Sequence, residues 1–340
     1  MNSFLAALND EPHDFTPIWF MRQAGRYLKG YRELRAKHSI KEICMDPNLT
    51  LKVTSEPVGL LGVDAGIIFS DITIPLEAMG FRLDFIENVG PVISNPLNTN
   101  KELAGISEFS VSEMQYGTFA AIKKFNEEFP DVPIIGFSGG PLTIASYLTL
   151  GHPDRDLSAT RTLLYQEDKS MIELMQMIRE MVISNCKEQV KSGADAIQIF
   201  DSWAGFLPPS FLPWYREKFL TEIAAELSGI TKTIYFSTQT AGVIEELSKA
   251  GFDYLSLDWR VNLPLVSIKL DSGIGLQGNL DPVMVSRAPN LAISESRKLS
   301  ELMNGKSNYI FNLGHGVLPD TDPETLKEIV RTVHQSGRNR

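Results

Sequence analysis

Four arginines, Arg22, Arg26, Arg32 and Arg35, follow directly on an apolar run at residues 17–20. A guanidinium stays charged at any working pH, and its planar fork matches the two oxygens of a carboxylate, so the cluster asks for anions. Arg22 and Arg26 stand four apart, which puts both on one face if the segment turns helical. The alternative is an ion-pair cluster on a helix surface, with Glu33 pairing to Arg32 or Lys37. Arg22 resists that reading because it lies immediately behind the apolar run, beside Gln23 and Gly25, where a barrel strand opens onto its active face.

Eight short apolar runs order the rest of the chain, at residues 17–20, 65–69, 133–137, 196–200, 233–236, 254–257, 274–277 and 309–313. Helical stretches separate most of them, at 113–129, 158–191, 209–227, 241–249, 291–303 and 323–334, and several end in glycine, as at Gly193, Gly229, Gly251 and Gly305. Strands alternating with helices pair in parallel, and eight units predict an α/β fold of the (β/α)8 TIM-barrel type, a single domain over residues 1–340. A doubly wound open sheet is the rival, but no glycine-rich dinucleotide turn follows the first run. The long segments after the first two runs have room for extra helices or a lid, and the alternation at 82–92 predicts a hairpin on the rim.

Barrel chemistry sits at the C-terminal ends of the strands. There the sequence places Arg22 and Arg26; Ser70, Asp71 and Thr73; residues 138–143 and Tyr147; Asp201, Ser202 and Trp203; Thr238 and Gln239; Asp258; Asn279 and Asp281; Gly314 and His315. No lysine directly follows a run, which argues against a Schiff-base aldolase. The five histidines, at 13, 38, 152, 315 and 334, are scattered without a zinc-ligand motif, so no metal is expected. The glycines of 278–282 and 312–316 suit either phosphate binding or tight turns.

A formal charge of -10 argues against nucleic-acid or anionic-membrane partners, so an anionic ligand must rely on local arginines. The two cysteines, Cys44 and Cys186, make no disulfide framework, which fits a reducing cytoplasm. No leader or membrane span is read, and the expectation is a soluble, unprocessed protein.

The motifs M-R-Q-A-G-R-Y at 21–27, G-F-S-G-G-P-L-T-I-A-S-Y at 136–147, F-D-S-W-A-G at 200–205, G-N-L-D-P at 278–282 and N-L-G-H-G-V-L-P at 312–319 occur in order along the chain. Together they resemble the uroporphyrinogen decarboxylase family of the heme pathway over essentially the whole length. Departures are Lys29 and Gly30, where the family usually has Pro and an acidic residue, and Ser138, Gly140 and Leu142 in a small-residue loop. The resemblance implies a (β/α)8 barrel, a homodimer, no cofactor, and conversion of the four acetates of uroporphyrinogen to methyls. It also implies Asp71, Arg22 and Tyr147 as catalytic residues, with Arg26, Gln23, Phe200, Ser202 and His315 joining them in substrate binding. Asp201 is a further candidate behind the site, and Asp258 has no assigned role. Two rivals remain: a zinc-dependent barrel methyltransferase, whose His and Cys ligand pattern is absent from the sequence, and a porphyrinogen binder that has lost its chemistry.

Overall fold

The structure, a computed structural model, describes residues 2–87, 89–97, 103, 105–111, 114, 117–152, 154, 156–270 and 273–337. Seven strands form one parallel sheet: β1 (Gly66–Ile67), β4 (Ile134–Gly139), β5 (Ala196–Phe200), β6 (Lys232–Phe236), β7 (Tyr254–Ser256), β8 (Gly275–Leu280) and β9 (Tyr309–Leu313), in that spatial order. The predicted first strand is not a regular strand. Ile18 makes a single parallel bridge to Phe311 of β9, and its carbonyl accepts the Asp64 N–H just ahead of β1 at 2.8 Å. Residues 17–19 thus join the two edges of the sheet and occupy the eighth position of the barrel. The expected rim hairpin is present as β2 (Leu83–Ile86) and β3 (Gly90–Ile93), antiparallel.

Helices cover the outside. The segment after residues 17–20 holds three of them, Lys29–Arg35, Ile40–Met45 and Pro47–Leu61. The predicted helix at 113–129 is Thr118–Glu128, and Glu113 lies outside the described residues. The stretch 158–191 divides into Ser158–Tyr165 and Lys169–Lys191, because Glu167 takes a φ of 51° and the Asp168 carboxylate caps the second helix through Met171 N–H. Gly193, Gly229, Gly251 and Gly305 all have positive φ, the left-handed region that closes a helix without a Cβ clash.

Trp19, Phe20, Tyr235, Phe236, Tyr254, Tyr309 and Phe311 are fully buried in the core. A polar layer runs through it: Trp19 Nε1 donates to Gln277 Oε1 (2.9 Å), and Gln277 Nε2 donates to Gln198 Oε1 (3.0 Å) and Ser256 Oγ (2.9 Å). Gln277 is on β8 and Gln198 on β5, strands that are not neighbours, so this bond crosses the barrel interior and ties opposite walls. At the entry end a second device recurs. Asp64 Oδ2 accepts Ile18 N–H (2.7 Å), Asp195 Oδ2 accepts Ile134 N–H (2.8 Å), and Asp253 Oδ2 accepts Thr233 N–H (2.9 Å). Each carboxylate stands just ahead of one strand and takes an N–H at or next to the start of the preceding neighbour, fixing the parallel register.

Candidate active site

The turn at residues 21–28 is not helical, which corrects the expectation that Arg22 and Arg26 share a helix face. Arg22 instead takes a φ of 58°, a costly conformation for a residue with a Cβ. Its neighbours hold it there. Gln23 Oε1 accepts Phe20 N–H (3.1 Å), Gln23 Nε2 donates to the Ala65 carbonyl (3.2 Å), and Tyr27 Oη donates to the Gln23 carbonyl (2.5 Å). Met21 N–H donates to Asn312 Oδ1 (3.0 Å), and the Met21 carbonyl accepts Val317 N–H (2.9 Å). Gln23 is therefore a fully buried staple, and the structure does not bring its amide to the cleft. Gly316 leaves room for the Arg22 stem: a Cβ at 316 would lie 2.4 Å from Arg22 Cδ.

The ion-pair reading of the cluster fails. Glu33 pairs with Lys29 at 3.8 Å, Arg32 Nη1 donates to the carbonyls of Arg26 and Tyr27, and the exposed side chains of Arg22 and Arg26 have no hydrogen bond or ion pair among the described residues. The charge of Arg22 is felt by Asp71, Tyr147 and His315, which links it to them, whereas that of Arg26, also exposed, is felt by Tyr31.

Asp71 lies half-buried beyond β1. Its Oδ1 accepts Thr73 N–H (2.9 Å) and Thr73 Oγ1–H (2.6 Å), the turn chemistry that precedes the 3-10 helix Ile74–Met79, while Oδ2 has no hydrogen-bond partner among the described residues. Burial pushes the Asp71 carboxyl above its ordinary range, and the two Thr73 donors and Arg22 work against that push. Tyr147, on the helix Pro141–Leu150, is held protonated: burial and the nearby Asp71 push its phenol up to about 12. Its ring tilts against Trp203 at 5.3 Å, and its hydroxyl has no hydrogen-bond partner among the described residues. The Ser202 hydroxyl is likewise without one, while the Ser202 carbonyl accepts Thr238 N–H and Oγ1–H.

Aromatic rings line the floor. Phe200, half-buried at the end of β5, meets Phe137 edge-on at 5.6 Å and Phe236 at 5.9 Å. His315 stands edge-on to Phe236 at 6.0 Å and to Trp259 at 6.5 Å. Gly316 N–H donates to His315 Nδ1 (2.8 Å), which assigns the remaining proton to Nε2. Burial, reinforced by Arg22, lowers the imidazole to about 4, so His315 offers a neutral N–H donor rather than a cation.

Asp201 has a different task. It is fully buried, with Oδ1 accepting Thr143 N–H (2.9 Å) and Thr143 Oγ1–H (3.0 Å), and Oδ2 accepting the hydroxyls of Tyr215 (2.5 Å) and Tyr235 (2.9 Å). It fastens the helix carrying Tyr147 to β5 and β6. Gly140 must be glycine for this packing, since a Cβ there would lie 2.2 Å from the Asp201 Cβ. The glycines near 314 answer to close approach as well: a Cβ at 314 would lie 2.3 Å from Trp259 N. Among the described residues, no three His, Cys, Asp or Glu side chains come together as a metal-binding group.

The site is therefore a cleft with an aromatic floor, one incompletely bonded carboxylate, and unengaged donors from arginine, tyrosine, serine and histidine. It suits a polyanionic ligand that also presents N–H groups to Asp71. Phe137, which sequence reasoning did not single out, joins the floor beside Phe200, and Trp203, placed directly after a strand, packs against Tyr147.

A family model described as uroporphyrinogen decarboxylase matches residues 1–336. Uroporphyrinogen decarboxylase of Picrophilus torridus is 45% identical over 336 residues, covering 98% of this chain and 99% of that protein. That of Thermoplasma acidophilum is 42% identical over 337 residues, again covering 98% and 99%. Among solved structures, a methyltransferase from Methanosarcina mazei superposes with a TM-score of 0.79 at 22% identity, over 98% of this chain and 97% of that one, a likeness of fold.

Proposed function

The chain belongs to the uroporphyrinogen decarboxylase family, an enzyme family of tetrapyrrole biosynthesis, and on that premise we propose that it converts the four acetate side chains of uroporphyrinogen III to methyls, giving coproporphyrinogen III and carbon dioxide. The observation that carries the reading is the Asp71 carboxylate, with one oxygen tied to Thr73 and the other unengaged beside Arg22 and Tyr147.

Loss of carbon dioxide from an acetate leaves an electron pair that needs a sink. A pyrrole protonated on its ring carbon is one: the C–C bond breaks, its electrons flow into the ring, and the exocyclic carbon then takes a proton to become methyl while the ring proton leaves. Asp71 Oδ2 accepts pyrrole N–H groups and opposes the positive charge that develops on the ring, a preorganised charge in a partly dry site. A carboxyl held above its ordinary range gains most from those donors. Arg22 grips acetate or propionate groups that are not reacting, and Arg26 assists at the mouth. The aromatic floor of Phe137, Phe200 and Phe236 deprives the reacting acetate of water, which destabilises its charge relative to neutral carbon dioxide. Tyr147, Ser202 and His315 donate hydrogen bonds to substrate carboxylates. A guanidinium is a poor acid, so the proton comes more readily from elsewhere than from Arg22.

The proposal extends to a single-domain cytoplasmic enzyme acting as a homodimer without metal or cofactor. The two cysteines, free and buried, are in keeping with a reducing compartment, and dimerisation rests on the family. Anaerobic incubation of the purified protein with uroporphyrinogen, followed by separation of the oxidised products by carboxylate number, tests it. Stepwise loss from eight carboxylates to four is expected, with or without a chelator; unchanged substrate overturns the reading.

A further inference from the structure

The end of β7 carries a basic group that the mechanism above does not use. Asp258 is fully buried, and its carboxylate is saturated: Oδ1 accepts Arg260 N–H (2.9 Å), and Oδ2 accepts Gln239 N–H (2.5 Å) and Arg260 Nη1 (2.8 Å). Arg260 Cζ lies over the Trp259 ring, 4.1 Å from its centroid. One edge of the guanidinium is thus spent on Asp258 and one face on Trp259. The Nε and Nη2 donors have no partner among the described residues, and the side chain is 46% exposed.

This fork is fixed and not a mobile surface charge. An exposed arginine ordinarily sweeps many rotamers, whereas a buried anion beneath and an indole alongside leave this one few. Its position is at the cleft. Trp259 packs against Gly314 and stands edge-on to His315, and the charges of both Arg22 and Arg260 are felt at the His315 ring. Arg22, His315 and Arg260 therefore form an arc around one side of the barrel mouth. A macrocycle with carboxylates spread round its perimeter requires such separated grips, because a single cluster fixes one edge and leaves the ring free to pivot.

Resting on the decarboxylase reading, we propose that Arg260, held by Asp258 and Trp259, is a further substrate-binding residue that takes a perimeter carboxylate of the tetrapyrrole on the side of the cleft opposite the Asp71 wall. It orients the ring and does not touch the reacting atoms. Arg260→Met keeps the stem and removes the fork. The expected result is an approximately tenfold weaker binding of uroporphyrin, the oxidised and unreactive form of the substrate, read by fluorescence quenching. The salt dependence of binding falls with it, KM for uroporphyrinogen rises by a similar factor, and kcat stays within about twofold.

Removing Arg260 leaves Asp258 as a buried unpaired charge, so the double variant Asp258→Asn, Arg260→Met is the control for a collapsed loop. Affinity that stays weak in the double variant while thermal stability recovers supports a direct contact; affinity that returns with stability overturns it. Unchanged affinity in Arg260→Met also overturns it. The wild-type protein is assayed alongside: if it fails to decarboxylate, the parent reading falls, and if it turns over normally with Arg260→Met indistinguishable from it, only this inference does.

Discussion

At the entry end of the barrel, the carboxylates of Asp64, Asp195 and Asp253 are each taken up by an N–H at or next to the start of a neighbouring stave, whereas at the exit end Asp71 gives one oxygen to Thr73 and keeps the other. One side-chain chemistry serves two purposes, decided by what the bonded oxygen holds. The entry-end carboxylates each tie two neighbouring staves together. Asp71 bonds only within its own turn, and burial disfavours its charged form, as it does that of Asp195. On the proposed function, stability and activity are segregated by barrel face, and the segregation can be broken from either side.

The largest effect is expected at the exit end. Asp71→Asn keeps an oxygen for Thr73, so the fold survives, but it removes the charge that opposes the cationic ring; kcat should fall by about 100- to 1,000-fold. Stability should move the other way. Because the folded state raises the Asp71 pKa, it favours the protonated acid, and that advantage is lost as pH rises through the raised value. The uncharged variant should therefore melt no lower than wild type at neutral pH. A variant that retains near-normal turnover would remove Asp71 from the mechanism.

At the entry end the expected pattern reverses. Asp253→Ala strips the partner from the Thr233 N–H and hydroxyl, both in a buried strand opening, and should cost about 1–3 kcal/mol in denaturant unfolding. Its kcat/KM should stay within about twofold of wild type. A fall in kcat/KM without a loss of stability would show that the two faces are coupled.

The smallest effect sharpens the comparison within the exit end. With its pKa lowered to about 4 from an ordinary 6.5, His315 should show no imidazole titration by NMR between pH 5 and 8. The folded state favours the neutral ring, so this contribution is complete above 6.5 and is lost as pH falls toward about 4. His315→Asn should flatten that part of the acid-unfolding curve. A titration midpoint near 6.5 in the native protein would place the ring in open solvent.

Much of the barrel and its site is legible in residue order. The runs at 196–200 and 309–313 are strands to the residue, because continuous apolar stretches buried on both faces leave no alternative period. Asp71, Ser202 and His315 stand just after apolar runs, at the barrel end where chemistry is expected, whereas Tyr147 is set by the helix that follows β4. Local spacing misleads at Arg22 and Arg26: a four-residue interval suits a helix, but the Gln23 amide, bonded to Phe20 and Ala65, forces a turn that no window of sequence encodes. Gln23 itself reads as a polar ligand group until its burial is known. The Trp259 and Arg260 pair is illegible for another reason, since its meaning depends on β7 ending beside residues 314–316, which are remote in sequence.

The joint at residues 17–19 has a consequence for a truncated chain. Ile18 is bridged to Phe311, and Met21 is bonded to Asn312 across a separation of 291 residues. The turn that carries Arg22 is therefore held from two sides, by Gln23 to Phe20 and Ala65 nearby and by Met21 to Asn312 of the last strand. A chain ending before β9 would keep the local bonds of Gln23 but lose the Met21 anchors and His315 with them.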